Sequence, residues 1–480
     1  MVAARGREKR RTLFDILSGI GRHAASIAVG LVTFPLIGSV LGVERLGIWG
    51  LLGASTALVA LGDLGLSMPV QRAAVRQDRA RAHRTLGTAL RTSLIFGPLI
   101  SLMCLPLLTV ELAEGHAGEL PITLCLVLAA GCVSGVAGPY RAYVIASGGM
   151  RALAAARVFA AVVQILITAG LLFAPSMTVP ALALLAANVL ELLCLPLIAR
   201  RHDPGLPWFP PGGLERSAFR EAVRDAAAAL VLYGGVVIAG RLDVFLVSRV
   251  APLGVVAAYA IALRAVEQSF VLAKQTSGAL LPKLGAVATR SEATELGTGV
   301  LGALVGAGMC ALVMDGGALL RAWTGGVVAI DSFGLPLALL ACAAVVAAGH
   351  EVACSGLTLG GRTAWSGATP LIAGSVINVA LGLTFSDRYG VVAIAGATVF
   401  GNLVTFAWVW ARARRMLAWT GTRVVRSLLP GGVAIVSALF VGGALSDLAG
   451  SGPFVSLGVC ALVTACGVSA GGIVAWRRHA

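Results

Sequence analysis

Long apolar blocks separated by short polar gaps run through the whole chain. Each block is roughly 18 to 26 residues long, which is the length that an α-helix needs to cross a hydrocarbon core of about 30 Å. When glycine, proline and charged residues are taken to mark the ends of the blocks, the pattern predicts about fourteen transmembrane helices. Their predicted spans are 16–41, 46–70, 85–110, 120–146, 158–175, 181–199, 226–248, 255–282, 296–316, 333–358, 365–385, 391–410, 428–447 and 454–475.

The basic residues lie almost entirely in alternate gaps. If the N-terminus is cytoplasmic, the cytoplasmic gaps hold 27 Lys and Arg residues and the opposite gaps hold four. Cytoplasmic loops of membrane proteins carry such an excess of positive charge. The sequence therefore predicts a multi-pass membrane protein with both termini in the cytoplasm.

Composition supports the membrane assignment. Only 12% of the residues are charged and the mean hydropathy is +0.90, whereas soluble domains carry about 25% charged residues. The formal net charge of +15 would indicate nucleic acid in a soluble protein. Because the arginines flank apolar blocks, membrane lipid is the predicted partner and nucleic acid is not.

The predicted domain boundaries follow a proline-rich segment. Residues 200–225 contain four prolines and are predicted to be a cytoplasmic linker. The linker would separate an N-terminal lobe, 1–199, from a C-terminal lobe, 226–410, with two additional helices in 411–480. The second and the eighth predicted spans begin with similar residues, 46–49 (LGIW) and 253–255 (LGV). This similarity favours a parallel repeat of two six-helix lobes around a central cavity.

The short gaps exclude several enzyme classes. No phosphate-binding loop of the GxxxxGK[ST] type is present, and no predicted extracytoplasmic loop is long enough to carry catalytic acids. The nine cysteines lie in or beside apolar blocks without a CxxC pair, which favours packing roles over disulfides or metal binding. We therefore predict a protein that is not an enzyme and that has no cofactor and no metal site.

Three degenerate motifs carry a family resemblance. They are residues 41–50 (LGVERLGIWG) with 63–66 (DLGL), residues 240–243 (GRLD) with 253–260 (LGVVAAYA), and residues 388–391 (RYGV) with 396–397 (GA). The chain resembles the bacterial O-antigen and exopolysaccharide (Wzx-type) flippases. These belong to the superfamily that also contains multidrug exporters and lipid II flippases.

The resemblance implies an all-α polytopic fold and a cargo. It implies two six-helix lobes plus two C-terminal helices, and a polyprenyl-pyrophosphate-linked oligosaccharide that moves from the cytoplasmic to the outer leaflet by alternating access. The function would be cell-surface polysaccharide assembly, with other glycan-assembly proteins as partners and a proton or sodium as the counter-ion.

Ionisable residues inside predicted spans are the candidate site residues, because a charge at membrane depth is costly unless it faces a partner or a cavity. Arg264, Glu267 and Lys274 fall within a stripe of about 80° on the eighth span. The functional interpretation is that Arg264 and Lys274 bind a pyrophosphate while Glu267 holds them in place or titrates. The alternative is a structural ion pair between helices.

Two further spans carry candidate residues. Arg241 and Asp243 lie two positions apart on the seventh span, so they do not face each other and each needs a partner elsewhere. They are predicted either to pair with residues of other helices or to line the transport pathway, where Arg241 would bind substrate and Asp243 would couple transport to an ion. Arg22, on the first span, is predicted either to bind phosphate or to extend to the lipid headgroups. Arg141 lies closer to the end of its span, and the sequence favours extension to the headgroups.

The remaining candidates are carboxylates that would couple transport to an ion or pair with a charge. They are Asp63, Glu191 and Glu351, and the amide of Asn378 accompanies them. Hydrogen bonding between helices is the alternative for each. Two other functions stay open: a multidrug or cation antiporter of the same fold, and a membrane-embedded glycosyltransferase or acyltransferase.

Overall fold

Every regular element in the described part of the chain is helical. The computed structural model describes residues 22, 25–60, 65–75, 78–112, 119–208, 210–211, 242–267, 284, 287–323, 326, 333–360 and 365–444. The chain divides into two compact units, Met1–Arg241 and Leu242–Ala480. Within the described ranges, eight helices are long and apolar enough to cross a membrane.

The first unit contains seven described helices. They are α1 (Ala25–Leu41), α2 (Val43–Val59), α3 (Ser67–Val75), α4 (Arg79–Leu112), α5 (Leu120–Ala146), α6 (Met150–Ala169) and α7 (Thr178–His202). Helix α5 packs against α2, α3, α4 and α7, and α6 packs against α7. The buried core of this unit lies between α3, α4, α5, α6 and α7, and Leu206 from the segment after α7 completes it.

Two predicted spans of the first unit have different boundaries. The span 46–70 is divided, because α2 ends at Val59 and Gly65, with φ of 74°, precedes α3. A left-handed backbone favours glycine, which has no Cβ to clash. The span 158–175 is displaced, since α6 already begins at Met150. Gly148 turns the chain with φ of 80°, and the Ala- and Leu-rich residues that follow have high helix propensity.

The second unit contains the other described helices. They are the helical residues 242–250 (α8) and 253–267 (α9), then α10 (Val287–Trp323), α11 (Gly334–Gly360), α12 (Trp365–Leu417) and α13 (Gly421–Ala444). Helix α12 covers the two predicted spans 365–385 and 391–410. It bends sharply at Gly390, where φ is 57° and ψ is −139°.

Glycines allow the closest helix approaches in the second unit. A Cβ on Gly401 would lie 2.5 Å from the Gly374 carbonyl oxygen, so the two halves of α12 pack backbone to backbone. Helices α10 and α13 meet in the same way, since a Cβ on Gly431 would lie 3.1 Å from Cα of Gly302. Small residues let helices pack closely in lipid, where apolar surface gains nothing from burial alone.

Apolar side chains face outward on the helices that surround these cores. Phe440 on α13 is 79% exposed and Leu166 on α6 is 66% exposed. In water such a surface would cause association, whereas in a bilayer it is in contact with lipid chains.

Candidate functional site

A buried glutamate lies between helices of the first unit. Glu191 on α7 has only 2% of its side chain exposed. Its Oε1 accepts a hydrogen bond of 2.7 Å from Nε of Arg141 on α5, and its Oε2 accepts one of 3.1 Å from Nη1 of Arg157 on α6. Each oxygen of the carboxylate therefore binds a different arginine, and the three helices are joined through one side chain.

Helix α1 contributes to the same group of charges. Nε of Arg157 also donates to Oγ of Ser26, at 3.3 Å. Arg22, one turn earlier in the chain, is close enough to interact electrostatically with Glu191, Arg141 and Arg157. We call Arg22, Arg141, Arg157 and Glu191 the Glu191 cluster.

The Glu191 cluster lies inside the helices rather than at their ends. Arg141 is five residues before the end of α5, Arg157 is seven after the start of α6, and Glu191 is eleven before the end of α7. At about 1.5 Å per residue these positions are about 8, 10 and 16 Å from the helix ends. The cluster therefore lies about one and a half to three turns inside these helices.

The Glu191 cluster has an excess of positive charge. Three guanidinium groups surround a single carboxylate. Arginine keeps its charge at physiological pH, and a charge in a low-dielectric environment interacts strongly with an opposite one. Each guanidinium carries five N–H donors, and the described residues accept one from Arg141 and two from Arg157. Within the described part of the chain, donors therefore remain for a second anion.

The second unit buries a carboxylate among neutral groups. Asp243 on α8 is fully buried. It accepts hydrogen bonds from Oγ1 of Thr398 at 2.7 Å, from Nδ2 of Asn378 at 3.2 Å and from the Tyr259 hydroxyl at 3.3 Å. Within the described residues, the donors to Asp243 are all uncharged. We call these four residues the Asp243 site.

The bend in α12 brings two of these donors together. Asn378 precedes Gly390 and Thr398 follows it, so they approach Asp243 from the two halves of one helix. The Thr398 hydroxyl also lies 3.4 Å from Oδ1 of Asn378. Close packing at Gly401, whose Cβ would lie 3.0 Å from Cβ of Asn378, keeps the two halves in register. The Asp243 site is thus a compact group of oxygen atoms.

A third polar group, the Asp203 cluster, lies at the end of the first unit where α5 and α7 end and α4 begins. Oδ2 of Asp203 accepts hydrogen bonds from Tyr143 on α5 at 2.5 Å and from Nε2 of His83 on α4 at 2.8 Å. Burial alone would raise the pKa of Asp203, but the hydrogen bonds from Tyr143 and His83 outweigh it and hold that pKa below its usual value. The Asp203 cluster joins α4 and α5 to the segment that follows α7.

The other predicted site residues have separate positions. Nη1 of Arg264 lies 3.3 Å from Oε2 of Glu267, as an ion pair one turn apart on α9 with both side chains partly exposed. Glu351 is half-buried on α11. Three predicted site residues lie outside the described residues: Asp63, Arg241 and Lys274.

Sequence reasoning missed several residues of these groups. Arg157 was assigned to a loop because the predicted span began at residue 158, and a helix start after the Gly148–Gly149 pair would have moved it inside the helix. Arg141, for which the sequence favoured extension to the headgroups, pairs with Glu191, and the sequence did not predict this partner. Tyr259 and Thr398 carry no charge, so no hydropathy signal could distinguish them.

Comparison with known proteins decides the family. The family model described as polysaccharide biosynthesis protein matches residues 16–284, which is more than half of the chain. The chain belongs to the polysaccharide biosynthesis protein family. The family resemblance of the sequence motifs is therefore confirmed. Among curated protein sequences, none matches the chain significantly.

Solved structures share the fold of this polysaccharide biosynthesis protein. The lipid II flippase MurJ, in an inward closed conformation, is 11% identical with a TM-score of 0.65, and the match covers 91% of this chain and 97% of that one. An inward-facing multidrug resistance MATE family transporter of the MOP superfamily is 17% identical, with a TM-score of 0.63 and coverage of 84% and 100%.

A MATE transporter from Vibrio cholerae, in a bent form, gives the same result, with 14% identity, a TM-score of 0.59 and coverage of 87% and 98%. At these identities the likeness shows the fold. The prediction of an all-α polytopic membrane protein is thereby confirmed, and the number of fourteen spans stays a prediction.

Proposed function

We propose that this chain is a flippase for a polyprenyl-pyrophosphate-linked oligosaccharide, moving it from the cytoplasmic to the outer leaflet by alternating access. The cargo would serve cell-surface polysaccharide assembly and would undergo no covalent change. The protein would lie in the bacterial cytoplasmic membrane with both termini in the cytoplasm. The observation that carries the proposal is the Glu191 cluster, which gathers three arginines within hydrophobic helices.

The chemistry of arginine favours a pyrophosphate as the ligand. A guanidinium group offers parallel N–H donors that match pairs of phosphate oxygens. Arg141 and Arg157 approach one carboxylate from two different helices, so an anion with several oxygens could bridge both of them. The fold is shared with a protein named as a lipid II flippase, and the family concerns polysaccharide biosynthesis.

A counter-ion at the Asp243 site would drive the cycle. The carboxylate of Asp243 accepts three hydrogen bonds from neutral donors, so these donors bring it no compensating charge. A proton would neutralise it directly, while sodium would find oxygen ligands in Asp243, Asn378 and Thr398. We propose that one of these two ions binds here in exchange for the cargo.

Flipping in liposomes tests the proposal. Wild-type protein would be reconstituted with a fluorescent polyprenyl-pyrophosphate oligosaccharide, and the exposure of the label to an external quencher would be followed in time. Arg141→Gln and Arg157→Gln should each slow flipping by about tenfold or more, since each loses one charged hydrogen-bond partner of the phosphate. Arg201→Gln is the matched control, because Arg201 is an exposed residue at the end of α7.

The outcomes separate the candidate functions. Equal quenching rates with wild-type protein and with empty liposomes would contradict a flippase for this cargo. The multidrug antiporter of the same fold predicts instead that a cationic dye is transported and that the arginine variants transport it at least as well. Asp243→Asn should abolish the dependence of flipping on a proton or sodium gradient, and the gradient that has lost its effect identifies the ion.

A further inference from the structure

The Glu191 carboxylate occupies the arginine N–H groups that a phosphate would use. Nε of Arg141 and Nη1 of Arg157 are the donors, at 2.7 and 3.1 Å. Resting on the proposed function, we infer that Glu191 is a built-in competitor of the cargo: the pyrophosphate takes over Arg141 and Arg157 when it binds, and Glu191 takes them back when it leaves.

The geometry favours such an exchange of partners. Each arginine binds Glu191 through a single N–H group and through a single carboxylate oxygen. Neither pair has the bidentate arrangement that makes arginine–carboxylate pairs strongest. The side chains of Arg141 and Arg157 keep 25% and 20% of their surface exposed, whereas Glu191 keeps 2%. An incoming anion therefore meets the arginines before it meets the glutamate.

The charges lead to the same conclusion. In the absence of cargo the Glu191 cluster has three positive charges and one negative charge. A pyrophosphate esterified at both ends carries about two negative charges, so the cluster and the ligand together would be neutral. Neutrality matters because unbalanced charge is costly in a low-dielectric environment. Arg22, which interacts with the cluster electrostatically, provides the third charge for this balance.

Competition by Glu191 has a purpose in a transporter. A site of three arginines without a carboxylate would hold a pyrophosphate tightly and release it slowly. Because the cargo must displace Glu191 from the arginines, it binds with lower affinity and is released faster. Glu191 is in this sense a positioning residue: it acts through the arginines and does not itself bind the phosphate.

The first test uses the wild-type protein and so does not depend on a variant that folds. Protein in lipid nanodiscs is treated with dicyclohexylcarbodiimide, a hydrophobic reagent for carboxyl groups, with and without polyprenyl pyrophosphate, and modified peptides are quantified by mass spectrometry. Both oxygens of Glu191 are shielded by guanidinium groups in the absence of ligand. We expect its modification to increase about threefold or more with ligand, since the two hydrogen bonds are lost.

Glu119 is the internal control for this experiment. Its carboxylate is 47% exposed, lies near Arg45 at 3.7 Å, and accepts hydrogen bonds from Ser176 and from the Met177 backbone. It is outside the Glu191 cluster, so its modification should not change with ligand. Unchanged or decreased modification of Glu191, with measurable ligand binding, would overturn the exchange of partners.

The second test separates affinity from turnover. Glu191→Gln should bind polyprenyl pyrophosphate about tenfold more tightly, because the competing negative charge is gone, while its maximal flipping rate falls. Glu191→Asp keeps the charge on a shorter side chain and should stay near the wild type in affinity. A purely structural role predicts the opposite, namely weaker or unchanged binding by Glu191→Gln, and that result would also overturn the inference.

The failure of the proposed function is distinguishable from these outcomes. If the wild-type protein does not bind polyprenyl pyrophosphate at all, the proposed cargo is wrong and the inference fails with it. If the wild-type protein binds it, but the modification of Glu191 does not increase, the flippase proposal stands and only the competition is wrong.

Discussion

The two units each bury a carboxylate on a hydrophobic helix, and the neighbours of these groups differ. Glu191 in the first unit lies between charged donors, Arg141 and Arg157. Asp243 in the second unit lies between neutral donors from Tyr259, Asn378 and Thr398. Both groups satisfy the requirement that buried polar atoms be hydrogen-bonded. Among the residues that the structure describes, only Glu191 has hydrogen-bond partners of opposite charge.

This difference teaches how one fold could serve two ligands. On the proposed function, the positive charge around Glu191 would bind an anion, and the carboxylate of Asp243, whose described donors are all neutral, would bind a proton or a metal cation. The same difference sets what each variant should cost in stability. Removing Glu191 leaves Arg141 and Arg157 without their carboxylate, whereas replacing Thr398 or Tyr259 removes one hydrogen bond from a neutral donor.

The largest effect is expected for Glu191→Leu. This substitution leaves Arg141 and Arg157 without their carboxylate, and an uncompensated buried charge costs about 3 kcal/mol or more in the free energy of unfolding. Thermal or chemical unfolding of purified protein in detergent would measure it. Glu119→Leu, at an exposed carboxylate, is the control and should cost much less. Similar losses in the two variants would contradict the assignment of a charged, buried cluster.

A smaller loss is expected for Thr398→Val at the Asp243 site. The variant removes the hydrogen bond of 2.7 Å to Asp243 and nearly conserves volume, so the free energy of unfolding should fall by about 1.5 kcal/mol. Thr384→Val on the same helix is the matched control, because its hydroxyl donates only to the Ala380 carbonyl and the residue is exposed. Equal losses of unfolding free energy in the two variants would show that the hydrogen bond from Thr398 to Asp243 does not stabilise the fold.

Asp203 is a third carboxylate, and its contribution to the free energy of unfolding is expected to depend on pH. Hydrogen bonds from Tyr143 and His83 keep the pKa of Asp203 below its usual value, so the ionised form stabilises the fold. That contribution is fully present above the unfolded-state pKa of about 4, and it is lost as the pH falls through the lower folded-state pKa.

The difference in unfolding free energy between wild type and Asp203→Asn should therefore be constant from neutral pH down to about pH 5 and then decrease. Unfolding midpoints of both proteins between neutral and acidic pH would measure it. Asp387→Asn, at an exposed aspartate, serves as the control for general effects of acid. A difference that increases toward low pH would be the wrong sign and would refute the role of the hydrogen bonds.

The smallest effect is expected for Tyr259→Phe. Its hydroxyl makes the longest of the three hydrogen bonds to Asp243, 3.3 Å, and the ring would keep its edge-to-face contact with Phe333. The expected loss is about 0.5 kcal/mol in unfolding free energy, measured alongside Thr398→Val. If Tyr259→Phe lost more unfolding free energy than Thr398→Val, the expectation that Thr398 stabilises Asp243 more than Tyr259 does would be contradicted.

Sequence reasoning found the carboxylates but not their partners. Glu191 and Asp243 are conspicuous because a charge within an apolar block is costly and therefore rare. Their donors come from α5 and α6 in one case, and from α9 and both halves of α12 in the other. Asp243 and Thr398 are 155 positions apart, and no local pattern reports such a contact.

The sequence by itself determined that the chain is an all-helical membrane protein, because hydrophobic length and the satisfaction of backbone hydrogen bonds in lipid leave few alternatives. Short motifs such as residues 41–50 (LGVERLGIWG) indicated the family that it resembles. The tertiary structure alone decided where α6 begins, how α12 bends at Gly390, and which charges meet. Those outcomes depend on glycine turns and on packing between distant helices. In particular, the pairing of Arg157 with Glu191 requires three helices to converge, and only the folded chain brings them together.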